Sequence, residues 1–133
     1  MYKRILLIED DRDIVELYAT VLKEQGFETD IAYDGTDGLS KAQSGVYDLL
    51  LVDLMLPNVT GSDIIRIARN PDLSPHVDPT TTVIVLTNMD LPEESKANLL
   101  KQVQGLYLKV DLTPHRLVDI IKETSDAQPT PAT

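Results

Sequence analysis

Three short apolar runs and one weaker run in this chain each lead into residues that can do chemistry. Glu9, Asp10 and Asp11 follow ILLI at 5–8, Asp53 follows LLLV at 49–52, Thr87 and Asn88 follow VIVL at 83–86, and Lys109 follows GLYL at 105–108. A continuous apolar run of four reads as a strand covered on both faces, where an ionised carboxylate is costly unless paired or solvated. Asp53 is therefore expected where its strand emerges. In open α/β sheets, ligands bind beyond the carboxyl ends of the strands, so parallel pairing of these runs would gather three kinds of group at one end: carboxylates, a hydroxyl and an ammonium. Carboxylates at about 4 Å repel by about 4 kcal/mol per pair at an effective dielectric of about 20, and the cluster needs cations. Lys109 supplies one charge. A divalent ion would supply the rest, and an all-oxygen site with room for waters suits Mg²⁺ or Mn²⁺ over Zn²⁺. Such a centre fits phosphoryl transfer, with Asp53 as nucleophile, the metal and Lys109 neutralising phosphoryl oxygens, and Thr87 donating a hydrogen bond. Singly, an acidic cluster opening a helix is ordinary capping and a lysine after a strand is ordinarily solvated. Their convergence is what carries the chemical reading.

The elements that would position these groups alternate along the chain. FETDIA at 27–32 and GLYLKV at 105–110 are weaker runs, suited to edge strands. Between the first two strands, DIVELYATVLKEQG carries Ile14, Leu17, Tyr18, Val21 and Leu22 at the spacing of one helical face, with Gly26 placed to end the helix. Further helices are predicted near 36–44, 62–69, 93–103 and 114–124. Five strands alternating with five helices imply a doubly wound α/β sandwich with right-handed crossovers. NPDLSPHVDPTT at 70–81 has prolines at 71, 75 and 79 and is predicted to be an extended loop at the opposite end of the sheet from the acidic cluster. DAQPTPAT at 126–133 reads as a flexible tail or linker after a single domain at 1–125.

Composition limits the function classes. A net charge of -10 disfavours direct binding to nucleic acid or anionic lipid, and the absence of cysteine excludes disulfides, thiolate metal sites and cysteine nucleophiles. The apolar run after the amino-terminal basic pair is too short for a signal peptide or a membrane span, so a cytoplasmic, soluble protein is expected. His76 and His115 stand apart from other ligand types, and the glycines form no phosphate loop.

IEDD at 8–11, LLLVDLMLPNVTG at 49–61, VIVLTN at 83–88 and YLK at 107–109 together resemble the receiver domains of two-component response regulators, over residues 3 to about 124. The resemblance implies a flavodoxin-like (βα)5 fold with a five-stranded parallel sheet in the order 2-1-3-4-5. It implies a phosphorylation-activated signalling switch, not an enzyme with an external substrate. Asp53 would accept a phosphoryl group from a sensor histidine kinase, a His-containing phosphotransfer protein or a small phosphodonor. Asp10 would ligate Mg²⁺ directly and Glu9 through water, with Asp53 and the backbone carbonyl of Met55 completing the protein's share. Asp11 would cap the first helix. Pro57 and Gly61 match the loop after the acceptor, where glycine permits a turn that other residues resist. Thr87 would move toward the phosphoryl group and Lys109 bridge it, shifting the face made by helix four, strand five and helix five toward a downstream output protein or domain. A phosphorylation-dependent homodimer is compatible with that face.

Three positions depart from the family pattern. Leu106 stands where an aromatic residue is usual, and Tyr107, one later, should face the other side of the sheet. Val110 replaces the proline that usually follows the lysine, which predicts a trans bond and a shifted loop. Asn88 replaces a small residue and would narrow donor access. Met55 and Met89, two residues after the acceptor and after the threonine, cannot orient a hydrolytic water, which predicts a long-lived phosphorylated form. The alternatives are a phosphorylation-independent interaction module of the same fold, an aspartyl phosphatase, whose second aspartate Met55 replaces, and a flavodoxin, whose phosphate EDDRD would repel.

Overall fold

The computed structural model describes residue 2 and residues 4–127. Along the chain it runs β1 (Arg4–Ile8), α1 (Arg12–Glu24), β2 (Glu28–Ala32), α2 (Gly35–Gln43), β3 (Leu49–Asp53), α3 (Gly61–Ala68), β4 (Thr82–Thr87), α4 (Glu93–Leu100), β5 (Gly105–Leu108), a 3₁₀ turn (Lys109–Asp111) and α5 (Pro114–Ala127). Every strand pair is parallel and the order is β2-β1-β3-β4-β5. The α/β doubly wound prediction and the order taken from the resemblance are both found. The three apolar runs form the central strands and are buried throughout, while β2 and β5 are half-buried edges.

Alternation along the central strands divides the core. Ile5, Leu7, Leu49, Leu51, Ile84 and Leu86 pack with α1 and α5, while Leu6, Ile8, Leu50, Val52, Val83 and Val85 pack on the other face with α2 and α3. In α1, Asp11 is the N-cap, its Oδ1 accepting from the amides of Asp13 and Ile14. Gly26 ends the helix at φ 89°; its amide bonds Lys23 O and that of Phe27 bonds Leu22 O, the paired bonds of a Schellman end. The buried stripe of α1 is Val15, Tyr18, Ala19 and Leu22. Leu17, expected in that stripe, is 57% exposed. The same three- and four-residue spacing runs through Val15 and Ala19, and the helix lays this stripe on the sheet and α5, turning Leu17 outward.

Other boundaries shift for local reasons. α4 stops at Leu100 because Lys101 and Gln102 bond back to Asn98 O and Leu99 O, tightening the last turn. α5 continues past 124 to Ala127, so the first two residues of the tail proposed at 126–133 extend the helix backbone, and 128–133 lie outside the described residues.

The segment 70–81 is at the amino end of the sheet as expected, but it is folded into turns and is not extended. Amides of Leu73, Val77 and Thr81 bond the carbonyls of Asn70, Ser74 and Asp78. These are three successive turns, NPDL, SPHV and DPTT, each with Asn, Ser or Asp first and proline second, the residues such turns favour. Asn70 and Asp78 also accept from the amides two residues on. Arg69 ties this segment to the approach to β5, donating to Pro79 O, Gln102 O and Gln104 Oε1.

Leu22→Ala, at a fully buried position, is expected to cost about 2–5 kcal/mol in urea denaturation. Leu17→Ala should stay within about 0.5 kcal/mol of the parent; equal costs would contradict this orientation of α1.

Candidate acidic site at the carboxyl end of the sheet

Parallel pairing delivers the ends of β1, β3 and β4 side by side, so the groups that follow them converge. Glu9, Asp10 and Asp53 each offer a carboxylate oxygen within 4.8 Å of the others. Glu9 and Asp53 are buried, at 0% and 1% exposure, while Asp10 is exposed. The side chain of Lys109 enters between the two buried acids. Its Nζ is 2.9 Å from Asp53 Oδ2 and 2.6 Å from Glu9 Oε2.

Backbone groups fix both carboxylates. Glu9 Oε1 accepts from the Asp11 amide at 3.2 Å, and Asp53 Oδ1 accepts from the Met55 amide at 3.0 Å. Glu9 Oε2 is engaged by the Lys109 ammonium alone. Burial pushes the Glu9 carboxyl up to about 7; the bond to Lys109 pulls it down and the charge of Asp53 raises it further. Burial alone would lower the Lys109 ammonium, but its bonds to Glu9 and Asp53 outweigh that and hold it above the ordinary lysine value.

Lys109 opens the 3₁₀ turn and so lies just beyond β5. No cis peptide occurs among the described residues, as predicted from Val110. The turn is anchored from behind, where the buried Tyr18 hydroxyl donates to Leu112 O at 2.9 Å. Sequence reasoning placed Tyr18 on a core face but missed this anchor, because a core tyrosine does not announce its hydroxyl's partner.

Gly61 is required for a reason other than the turn conformation predicted for it. A Cβ there would lie 2.3 Å from Asp53 O. The positive φ in this loop belongs to Asn58, at 72°. Gly35 was not singled out by sequence, yet a Cβ there would lie 1.7 Å from Val59 O, so the loop after Asp53 rests directly on the start of α2.

Thr87 ends β4 and is buried, but its hydroxyl donates to Met89 O at 3.2 Å and accepts from Met89 N at 3.3 Å. In this state it is bonded within its own loop. Tyr107 packs on the α1–α5 side and Leu106 on the side with Leu91 and Leu99, the separation expected from alternation. Met55 and Met89 are exposed at 56% and 48%.

A five-stranded parallel sheet in this order, with helices on both faces and an acid–lysine pocket beyond its carboxyl ends, is a flavodoxin-like fold. The chain belongs to the response regulator receiver domain family, which it matches over residues 5–122. It is 36% identical over 108 residues to response regulator ArlR of Staphylococcus saprophyticus, covering 81% of this chain and 43% of that protein. To the transcriptional regulatory protein DltR of Streptococcus agalactiae it is 34% identical, covering 81% of this chain and 42% of that one. The chain thus spans less than half the length of the curated relatives it matches. A CheY-like receiver domain protein from Methanospirillum hungatei JF-1 superposes with a TM-score of 0.78 at 28% identity, over 95% of each chain. Receiver domains are signalling switches of two-component systems and bind Mg²⁺ at an acidic pocket. Glu9, Asp10 and Asp53 form a cluster of that composition.

Because Asp10 is exposed, its repulsion from the buried pair is worth about 1 kcal/mol at low salt. Asp10→Asn should raise unfolding stability by about that amount in metal-free buffer, with the gain shrinking as ionic strength rises. Thermal or urea unfolding across a salt series checks both parts; destabilisation would show that Asp10 is held by attraction.

Proposed function

We propose that Asp53 is the phosphoacceptor of a Mg²⁺-dependent switch, receiving its phosphoryl group from the phosphohistidine of a sensor histidine kinase or phosphotransfer protein. The single observation that carries this reading is the buried pairing of Asp53 with Lys109 beside the buried Glu9 and the exposed Asp10. In the transfer, an Asp53 oxygen bonds phosphorus as the phosphorus–nitrogen bond breaks, and the histidine leaves with the electron pair. Lys109 and the Met55 amide orient the carboxylate, and Lys109 offers a cation for the incoming phosphoryl oxygens.

Three hard carboxylates that converge within 4.8 Å, with one lysine to offset their charge, fit Mg²⁺, with Mn²⁺ as a substitute. Glu9, Asp10, Asp53 and the Met55 carbonyl would hold it, and its charge would help neutralise the phosphoryl oxygens. Thr87, freed from Met89, would donate to the same group.

The output face is α4–β5–α5. A groove of ≈ 400 Å³ there is lined by Thr87, Leu91, Leu100, Leu106, Leu112 and Arg116, so movement of Thr87 reaches it directly. Leu106 replaces the usual ring in this coupling. A phosphoryl group that binds one arrangement of this face better than the other shifts the population, and a downstream output protein or domain, or a second copy of the chain, reads the result. The name of the DltR relative describes transcriptional regulation, which these 133 residues, at a net charge of -10, would serve through such an output protein or domain. No helix among the described residues is long and apolar enough to cross a membrane, and a cytoplasmic setting suits the proposed donors.

Incubation with acetyl phosphate, with and without Mg²⁺, followed by intact-mass analysis, tests the reading. One phosphoryl group is expected on the wild type, dependent on Mg²⁺ and absent from Asp53→Asn and, at equal Mg²⁺, strongly reduced in Asp10→Asn. If neither acetyl phosphate nor a phosphohistidine donor adds mass, and Mg²⁺ does not raise the melting temperature, the phosphorylation-independent module is the better account.

A further inference from the structure

Three methionines hold all the sulfur in the sequence, since there is no cysteine. Met55 and Met89, the two within the described residues, both stand on loops bordering the acidic pocket and both are about half exposed. Each is tied by its backbone to a side chain of the switch. The Met55 amide holds Asp53 Oδ1, while the Met89 amide and carbonyl both engage the Thr87 hydroxyl. The residues that carry these readily oxidised, half-exposed side chains are thus bonded through their backbones to the proposed phosphoacceptor and to Thr87.

A thioether is a weak hydrogen-bond acceptor and cannot steer water. Its sulfoxide is polar and carries an oxygen that accepts strongly, in an otherwise similar volume. We propose that Met55 and Met89 form an oxidation site through which a hydroperoxide shortens the lifetime of the phosphoryl group on Asp53. The inference rests on the assignment of Asp53 as phosphoacceptor.

The chemistry balances with the hydroperoxide as the only co-reactant. A sulfur lone pair attacks the terminal peroxide oxygen, and the sulfur–oxygen bond forms as the oxygen–oxygen bond breaks. Sulfur loses two electrons, which the peroxide gains, and the proton of the attacked oxygen passes to the departing one, releasing water or an alcohol. The sulfoxide oxygen then accepts a hydrogen bond from a water approaching phosphorus. That water's oxygen bonds phosphorus as the bond to Asp53 breaks, giving inorganic phosphate and the free carboxylate. Methionine sulfoxide reductases return the sulfoxide to the thioether with two electrons from a dithiol, releasing the oxygen as water, so the effect is reversible.

The test is the decay of phosphorylated protein after removal of acetyl phosphate, before and after mild hydrogen peroxide, with sulfoxides located by peptide mass spectrometry. Decay is expected to be about fivefold faster once Met55 and Met89 are oxidised, the factor that one neutral hydrogen bond of ordinary net strength represents. Treatment with sulfoxide reductases should restore the original rate. In a Met55→Leu/Met89→Leu double variant, which keeps volume but has no sulfur at either position, the ratio of decay rates with and without peroxide should be about one. Normal loading with unchanged decay after both sulfoxides form would overturn the oxidation site alone. Equal acceleration in the double variant would also overturn it, by placing the effect elsewhere. Failure to form any phosphoprotein before oxidation would overturn the Asp53 assignment and this inference with it.

Discussion

One ammonium between two buried carboxylates is the contact on which the rest of the structure turns. Lys109 reaches Glu9 and Asp53 at 2.6 and 2.9 Å in a place where neither acid is exposed to water. A buried ion pair is a poor source of stability, because desolvation offsets most of the attraction. Here the compensation is incomplete as well, since one lysine faces two acids with a third at the rim. The cluster is better understood as a site held ready by the fold than as a device for holding the fold together. Its stability comes from elsewhere, from the apolar runs that fill both faces of the sheet.

That division of labour explains the placement of each element. β1, β3 and β4 are apolar along their length and bring chemistry only at their carboxyl ends, so the core tolerates the acids because they sit at its boundary. Lys109 comes from the neighbouring edge, and its position depends on a 3₁₀ turn that the Tyr18 hydroxyl fixes through Leu112 O. The α1 helix therefore serves the site twice: Asp11 caps it and, through its amide, holds Glu9, and Tyr18 one face along secures the lysine's turn.

Much of this was legible in the residues. The central strands announce themselves as apolar runs, and the convergence of Glu9, Asp10, Asp53 and Lys109 follows from parallel pairing alone. What was not legible depended on contacts between distant segments. Leu17 and Ala19 fit helical spacing equally well, and only the packing of α1 against the sheet and α5 decides which is buried. Gly61 and Gly35 are fixed by carbonyls of the same loop approaching within the radius of a Cβ. The turns at 70–81 are a different case: the repeat of Asn, Ser or Asp before proline every four residues was present in the sequence, and reading the prolines only as helix breakers concealed it.

If Thr87 is the moving group of the proposed switch, its present bonds matter as much as its destination. A buried hydroxyl without a bond is costly, so one that must travel needs a place to rest. The Met89 backbone provides it, at distances of 3.2 and 3.3 Å that are long for a hydroxyl bond. A charged phosphoryl oxygen is the stronger acceptor and can draw the hydroxyl away, since charge-assisted bonds exceed neutral ones about twofold. The groove that Thr87 borders is also lined by Leu106, smaller and softer in shape than a ring. In the proposed switch, coupling to α4 and α5 would run through the repacking of the leucines lining the groove, with no single side chain swinging between two positions. A closely packed groove of this kind would transmit a change through its volume and outline, and on the proposed reading the loop holding Thr87 and Met89 is where phosphoryl chemistry and partner recognition would meet.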